Sequence, residues 1–488
     1  MDSERTPVLV GIGTAMQRED DWTRAREPLA LMLDAVYAAV RDSGAHDILA
    51  GAGYIAVPQG RWRYRNPAGA IARAVGATAA TRVLASVGVL QQSLIGDACA
   101  RIARGETHTA LVVGGDCGYR LLRARIAGAW TVDSEQDDAP DLHLAPKEDL
   151  FHPVETALGL TMPIGLYAII ESAWRHGRGL SPDQHRARLG EMYAGFSAIA
   201  ADNPHAWQRE PRTAAAIREA SVGNPMQAFP YTRALCSTFN VDQAGALVFC
   251  SAARARALGI APSRWAYPVA STESNHQVPV SARAELVRCP GAAIAGRAAL
   301  AAAALAVDDV ALLDLYSCFP AAVEIYAEEL GIPLERSLTV TGSMAYAGGP
   351  WNNYVLQATS RAVELMRAGH GANALISSVS GMLTKQAFGL YATAPPPHGF
   401  VNADVSADTA RAQRTVEVVA DYHGAGRLAG YTVIHERDRA PTILALVDTD
   451  DGRRALAGGD DPMLIARLER EEWVGRPVRV ADRLLCPA

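Results

Sequence analysis

Tyr316, Ser317 and Cys318 close the apolar stretch "VALLDLY" (310–316) and its polar continuation, and Pro320 then opens an apolar helical pattern. Polar side chains at the C-terminal end of a buried strand are where α/β proteins place reacting groups. A phenol and a thiol there can give or take a proton, and a thiol can attack a carbonyl. The plainer reading is a packed tyrosine and a buried cysteine. A second stretch, "TGSMAYAGGPWNNYVLQ" (341–357), places Tyr346, Gly348, Gly349, Asn352 and Asn353 ahead of an apolar helix. Backbone N–H groups at a helix start suit a carbonyl oxygen or an anion, yet this stretch holds no histidine, cysteine, aspartate or glutamate. A third, "SSVSGMLTKQAFG" (377–389), puts Ser378 and Ser380 in a small-residue loop that can aim N–H groups at a carbonyl oxygen, or be an ordinary turn. Lys385 in it reads as a solvated charge. Gln91 and Gln92, at the start of another helical pattern, add amides to this Tyr/Asn/Gln set.

These groups need a scaffold, and the pattern around them supplies one. "PVLVGIG" (7–13), "TALVVGG" (109–115), "ALVFCS" (246–251) and "NALISS" (373–378) read with 310–316 as buried strands. Between them lie helical patterns such as 90–104, with Leu90, Leu94, Ile95, Ala98, Cys99 and Ile102 on one face. The alternation predicts layered α/β structure. Residues 88–115 and 349–381 both run glycine, apolar helix, basic-glycine turn, buried strand, which predicts two similar halves. From about 119 to 235 the pattern loosens into turn-rich segments, read as an insertion lying over the sheet. After "TAPPPHGF" (393–400) short alternating strands predict a separate antiparallel β-barrel over 400–488, with one helix near 462–472. The expected units are therefore 1–260 with its insertion, 261–395 and 400–488.

At 488 residues with 49% apolar content the chain can bury more than one core. A net charge of −6 gives no argument for nucleic acid or a membrane surface. The seven cysteines are scattered without C-x-x-C spacing, which fits a reducing cytoplasm and predicts no metal site. "GIGTAM" (11–16) has Met16 where a dinucleotide fingerprint needs its third glycine, so it reads as a tight turn. The N-terminus enters a strand with no signal-peptide pattern, and the Ala-rich run broken by Arg297 is too short to span a bilayer.

Four blocks, in order, resemble the thiolase superfamily: "RIARGETHTALVVGGD", "VDQAGALVFCSAARARALGI", "AIAGRAALAAAALAVDDVALLDLYSCFPAAVEIYAEELGI" and "VTGSMAYAGGPWNNYVLQATSRAVELM". The resemblance is strongest to the sterol-carrier-protein thiolase branch, and within it to thiolase-like proteins with an extra C-terminal domain. It implies two β-α-β-α-β-α-β-β halves layered α/β/α/β/α, a loop-domain insertion, a small C-terminal β-barrel, and acyl-CoA thioesters as ligand or substrate. It implies no tightly bound cofactor and, by family default, a homodimer, with a monomer as the alternative.

Carried over position by position, the resemblance puts Gly88 where thiolases have the nucleophilic cysteine. Gly348-Gly349-Pro350 stands where they have Gly-His-Pro, Ser378 where they have the second cysteine, and Tyr316-Ser317-Cys318-Phe319 where they have an Asn-Glu-Ala-Phe or His-Asp-Cys-Phe element. Acyl-cysteine chemistry needs a thiolate and a base, so ordinary thiolase activity is not expected. Some relatives are retro-aldolases on β-hydroxyacyl-CoA that use tyrosines and pair with a small β-barrel partner. The expectation is C–C bond cleavage or formation with Tyr316, Cys318 and Tyr346 as acid–base groups. Gln91, Gln92, Gly348, Gly349, Asn352, Asn353, Ser378 and Ser380 would line the substrate site. Two alternatives stay open: a silent acyl-CoA or lipid binder or scaffold, and Cys318 acting as a displaced nucleophile.

Overall fold

The computed structural model describes residues 4–487. The first half runs strand Pro7–Gln17, helix Pro28–Ser43, strand Tyr54–Pro58, helix Pro67–Val75, strand Thr81–Ala85, helix Gln91–Arg104, and strands Thr109–Cys117 and Asp242–Ser251. This is the β-α-β-α-β-α-β-β order expected. The first and last of these strands are antiparallel partners, and Asp242–Ser251 also pairs antiparallel with Thr109–Cys117. A three-residue strand, Leu142–Leu144, extends the sheet beyond Thr81–Ala85.

The second half repeats the plan: strand Tyr267–Ser274, helix Pro290–Ala302, strand Leu312–Asp314, helix Pro320–Leu330, helix Tyr354–Arg367, and strands Asn373–Ser380 and Lys385–Ala392. Its third strand is missing as a ladder, and Asp314 shows why. The buried Asp314 carboxylate accepts the N–H groups of Val340 and Thr341, both at 3.1 Å. Only Leu315 donates across to the Leu338 carbonyl, at 2.9 Å. A side chain thus satisfies backbone donors that a ladder would otherwise use. Helices Gln91–Arg104 and Tyr354–Arg367 each touch strands of both sheets, so they form the middle layer. The predicted repeat is these two helix–strand units.

The insertion is more regular than its turn-rich composition suggests. It carries helices Pro163–Gly177 and Pro182–Asp202, the second opened by a capping box of Ser181 and Gln184. Both are packed into the main core by Leu166, Tyr167, Ile169, Ile170, Leu189 and Tyr193.

At the C-terminus, strands Gly424–Ile434, Thr442–Thr449, Arg454–Gly459, Leu484–Pro487 and Pro477–Ala481 pair in that cyclic order and close a five-stranded barrel. Helix Pro462–Leu468 lies between the third and fourth strands in chain order. Two expectations are corrected. The closing pair, Gly458 with Leu484, is parallel, so the barrel is not purely antiparallel. The boundary at 400 falls too early, because Val401–Asp404 pairs parallel with Tyr267–Ser274 as an edge strand of the core sheet. The triple proline turns the chain back onto the core before the barrel begins.

The barrel is welded to the insertion. Phe229 donates its N–H to the Val433 carbonyl and His435 donates to the Gln227 carbonyl, each at 2.9 Å. Gly430 lies so close to helix Pro163–Gly177 that an added Cβ would stand 2.9 Å from Ile169. Limited proteolysis is therefore expected to leave the barrel attached; release of a folded fragment near 413–423 with no loss of core stability would contradict the docking. Among the described residues no helix is long and apolar enough to cross a membrane.

Candidate active site

The helix starts of the middle layer meet. Gln91, the first residue of helix Gln91–Arg104, accepts the N–H of Val355 at 2.8 Å through Oε1 and donates to Asn352 Oδ1 at 3.3 Å. One amide thus caps the opposite half's helix. Gln91 also hydrogen-bonds the Tyr316 side chain, and burial pushes that phenol above its ordinary pKa. Tyr316 is held from its backbone as well, donating its N–H to Ser377 Oγ at 2.7 Å. Its ring stands edge-on to Tyr354 with centroids 5.6 Å apart.

Cys318 is half-buried among tyrosines. Burial pushes its thiol up to about 12, against hydrogen bonds from Tyr167 and the backbone that stabilise the thiolate. The Tyr167 hydroxyl, from the insertion, has the Gly381 carbonyl at 3.1 Å as a competing acceptor for its one proton, and it accepts the Leu383 N–H at 3.2 Å. Tyr193, from the next helix, faces Tyr346 edge-on at 6.3 Å. The hydroxyls of Tyr193 and Tyr346 are buried and have no hydrogen-bond partner among the described residues. The same holds for Asn352 Nδ2, both side-chain polar atoms of Asn353, and Ser378 Oγ. Buried polar atoms without partners are costly, which makes these groups candidates for contact with a ligand.

With its pKa near 12, Cys318 is a thiol at neutral pH. Alkylation by iodoacetamide is expected to be slow at pH 7–8, with about one thiolate in 10⁴ at pH 8, and to rise about tenfold per pH unit through pH 10. Peptide mapping by mass spectrometry reads this directly; fast labelling of Cys318 at pH 7 would contradict it.

Not every expected residue belongs here. Gln92 points away: it donates to Ser271 Oγ at 3.1 Å, and a Cβ added at Gly389 would lie within 2.7 Å of its Oε1. It is a core amide under the C-terminal sheet. Gly349 does not offer the free N–H group expected of it. The Gly349 N–H already donates to the Thr238 carbonyl at 2.9 Å, and the Trp351 N–H to the Gly349 carbonyl at 2.7 Å. What requires glycine at 348 is φ +101° and contact with Gln243, whose Oε1 would stand 2.2 Å from a Cβ. Ser380 is paired with Lys385 in the hairpin, and its carbonyl accepts from Thr384 at 3.0 Å. Lys385 is not a solvated charge: it is 5% exposed, and its Nζ donates to the Gly88 carbonyl at 3.1 Å. Burial lowers its pKa, partly offset by Glu148 and Glu273. Gly88 itself has φ +103°, and a Cβ there would meet the Pro146 ring at 2.8 Å.

Tyr167, Tyr193 and Lys385 are the residues that sequence reasoning left out of the site. The apolar run around Tyr167, "PIGLYAIIESAW", was the available signal.

Residues 407–483 match the family model described as the thiolase-like protein type 1 additional C-terminal domain. A search of the curated proteins gave no match. Among solved structures, the chain is similar to a monomeric SCP2-thiolase-like protein type 1 from Mycobacterium smegmatis, at 28% identity and TM-score 0.82, covering 100% of both chains. The Ltp2-ChsH2(DUF35) aldolase shares the fold at 18% identity and TM-score 0.61, over 80% of this chain and 98% of that one. An acetyl-CoA acetyltransferase from Syntrophomonas wolfei does so at 18% identity and TM-score 0.52, over 80% of this chain and 100% of that one. The chain thus has a thiolase-like fold, and its residues 407–483 match the additional C-terminal domain of thiolase-like proteins type 1.

Proposed function

We propose that the region where the two middle-layer helix starts meet binds an acyl-CoA thioester, and that the chain makes or breaks a C–C bond there without an acyl-cysteine intermediate. The observation that carries this reading is the Tyr316 phenol and Cys318 thiol side by side at a strand's end, with Asn352 Nδ2 and the Asn353 amide left without partners. Both acids have raised pKa values, so both are proton donors rather than bases. In this reading the base is the neutral form of Lys385, a form that burial favours, with its Nζ beside the Gly88 carbonyl. In a retro-aldol reaction on a β-hydroxyacyl thioester, Lys385 takes the β-hydroxyl proton and the Cα–Cβ bond breaks. The carbonyl product leaves, and the thioester enolate takes a proton from Tyr316 to give the shortened acyl-CoA. The Ltp2-ChsH2(DUF35) aldolase is a precedent for C–C chemistry on this fold. Here the barrel is part of the same chain, which favours a monomer.

The test is thermal stabilisation by a panel of acyl-CoAs, then assays for aldehyde or ketone release and for free CoA. Stabilisation with carbonyl release supports the proposal; no stabilisation by any thioester contradicts it. A second reading, a silent acyl-CoA binder, is favoured by the engaged Gly349 N–H, which removes a donor from the expected oxyanion contact. Stabilisation without any product would select it.

A further inference from the structure

Away from the meeting helix starts, three fully buried groups converge: Glu171 and His185 from the two insertion helices, and Glu324 from the helix that follows Cys318. One ligand-type atom from each lies within 4.8 Å of the others. His185 Nε2 stands 2.6 Å from Glu171 Oε1, and the Tyr231 hydroxyl donates to Glu171 Oε2 at 2.5 Å. The Glu324 carboxyl faces that of Glu171 within hydrogen-bond reach, so the two can share a proton, and His185 Nδ1 has no hydrogen-bond partner among the described residues. Two carboxyl groups without access to water cannot both stay charged unless a cation joins them.

We propose that Glu171, His185 and Glu324 form a closed structural site for one divalent cation of the zinc class, with the Tyr231 hydroxyl at its edge. The donor set fits: carboxylate oxygens and an imidazole nitrogen together suit zinc, at about 2.0–2.2 Å from each ligand. A tetrahedral ion needs its ligand atoms about 3.3 Å apart. The 2.6 Å His185–Glu171 contact must therefore open slightly, and Glu324 must swing in. Binding leaves His185 neutral and both glutamates ionised, releasing any shared proton to water. Glu171 and Glu324 exchange a shared proton for the ion, and two like charges gain a counter-charge.

Such an ion would have a definite place in the molecule. Tyr231 stacks on Phe319, with centroids 5.7 Å apart, and Phe319 follows Cys318. The ion would tie both insertion helices to the turn that presents the thiol, one aromatic layer from the proposed site. Complete burial implies loading during folding rather than exchange afterwards.

The experiment is elemental analysis of the full chain, purified through a tag without histidine, followed by refolding from denaturant and chelator with or without ZnCl2. The proposal expects about one zinc, or one competing divalent metal, per chain. It also expects at least a severalfold higher refolding yield with ZnCl2, and loss of the metal in the near-isosteric Glu324→Gln and in His185→Gln. Less than about one metal per ten chains, with refolding indifferent to ZnCl2, overturns it and leaves a shared proton as the neutraliser. Metal retained by both variants overturns it too. Should a variant fail to fold, the wild-type metal content and refolding yields decide.

Discussion

Tyr316→Phe is expected to leave the fold intact and lower turnover of a β-hydroxyacyl or β-ketoacyl thioester by roughly a hundredfold or more, the scale of one acid–base group. The substitution removes one oxygen from a side chain whose backbone is fixed by Ser377 and whose ring packs on Tyr354, neither of which needs the hydroxyl. Gln91 loses a partner but keeps Val355 and Asn352. A fall in kcat with KM nearly constant would place the phenol in the transition state rather than in binding. If neither Tyr316→Phe nor Tyr346→Phe changes turnover or acyl-CoA affinity, the tyrosines are packing groups and the silent-binder reading stands.

The second large effect concerns the barrel. Arg175 is fully buried at the end of an insertion helix, 2.8 Å from Glu472 of the barrel, and it also donates to the Tyr431 hydroxyl at 2.8 Å. Glu472→Ala removes the carboxylate from a buried guanidinium, which costs at most about 3–5 kcal/mol, the scale for breaking a fully buried pair. Arg175→Met should cost less, because the side chain of Glu472 is 25% exposed and can be hydrated when left alone. Urea unfolding of the two variants checks the order. If Arg175→Met is the worse of the pair, the barrel is held by packing on Arg175 rather than by its charge.

The sequence carried most of the scaffold, for reasons visible in particular residues. Fully buried strands such as Thr109–Cys117 read as apolar runs, and helix Gln91–Arg104 buries one stripe and so shows its period. Helix Pro163–Gly177 buries Leu166, Tyr167, Ala168, Ile169 and Ile170 in succession, because the core and the barrel both cover it. Nothing in its spacing therefore pointed to a site. Gln91 and Gln92 are chemically alike but about 100° apart on their helix, so one faces the opposite helix start and the other the sheet. Gly349 gives its N–H to Thr238, and Lys385 reaches Gly88 across 297 residues of chain; no local pattern encodes either contact. The site residues at the strand end and the helix start were legible because fold geometry fixes where such groups point, while those delivered by the insertion depended on packing alone.

The most direct test of the account is mass spectrometry of the intact chain after incubation with acetyl-CoA or acetoacetyl-CoA and a denaturing quench. The resemblance to thiolases puts Gly88 where they have their nucleophile, and burial pushes the Cys318 thiol up to about 12. The account predicts the unmodified mass under conditions in which acyl-CoAs stabilise the protein. A stoichiometric acetyl adduct that disappears in Cys318→Ser would contradict it and make Cys318 the nucleophile.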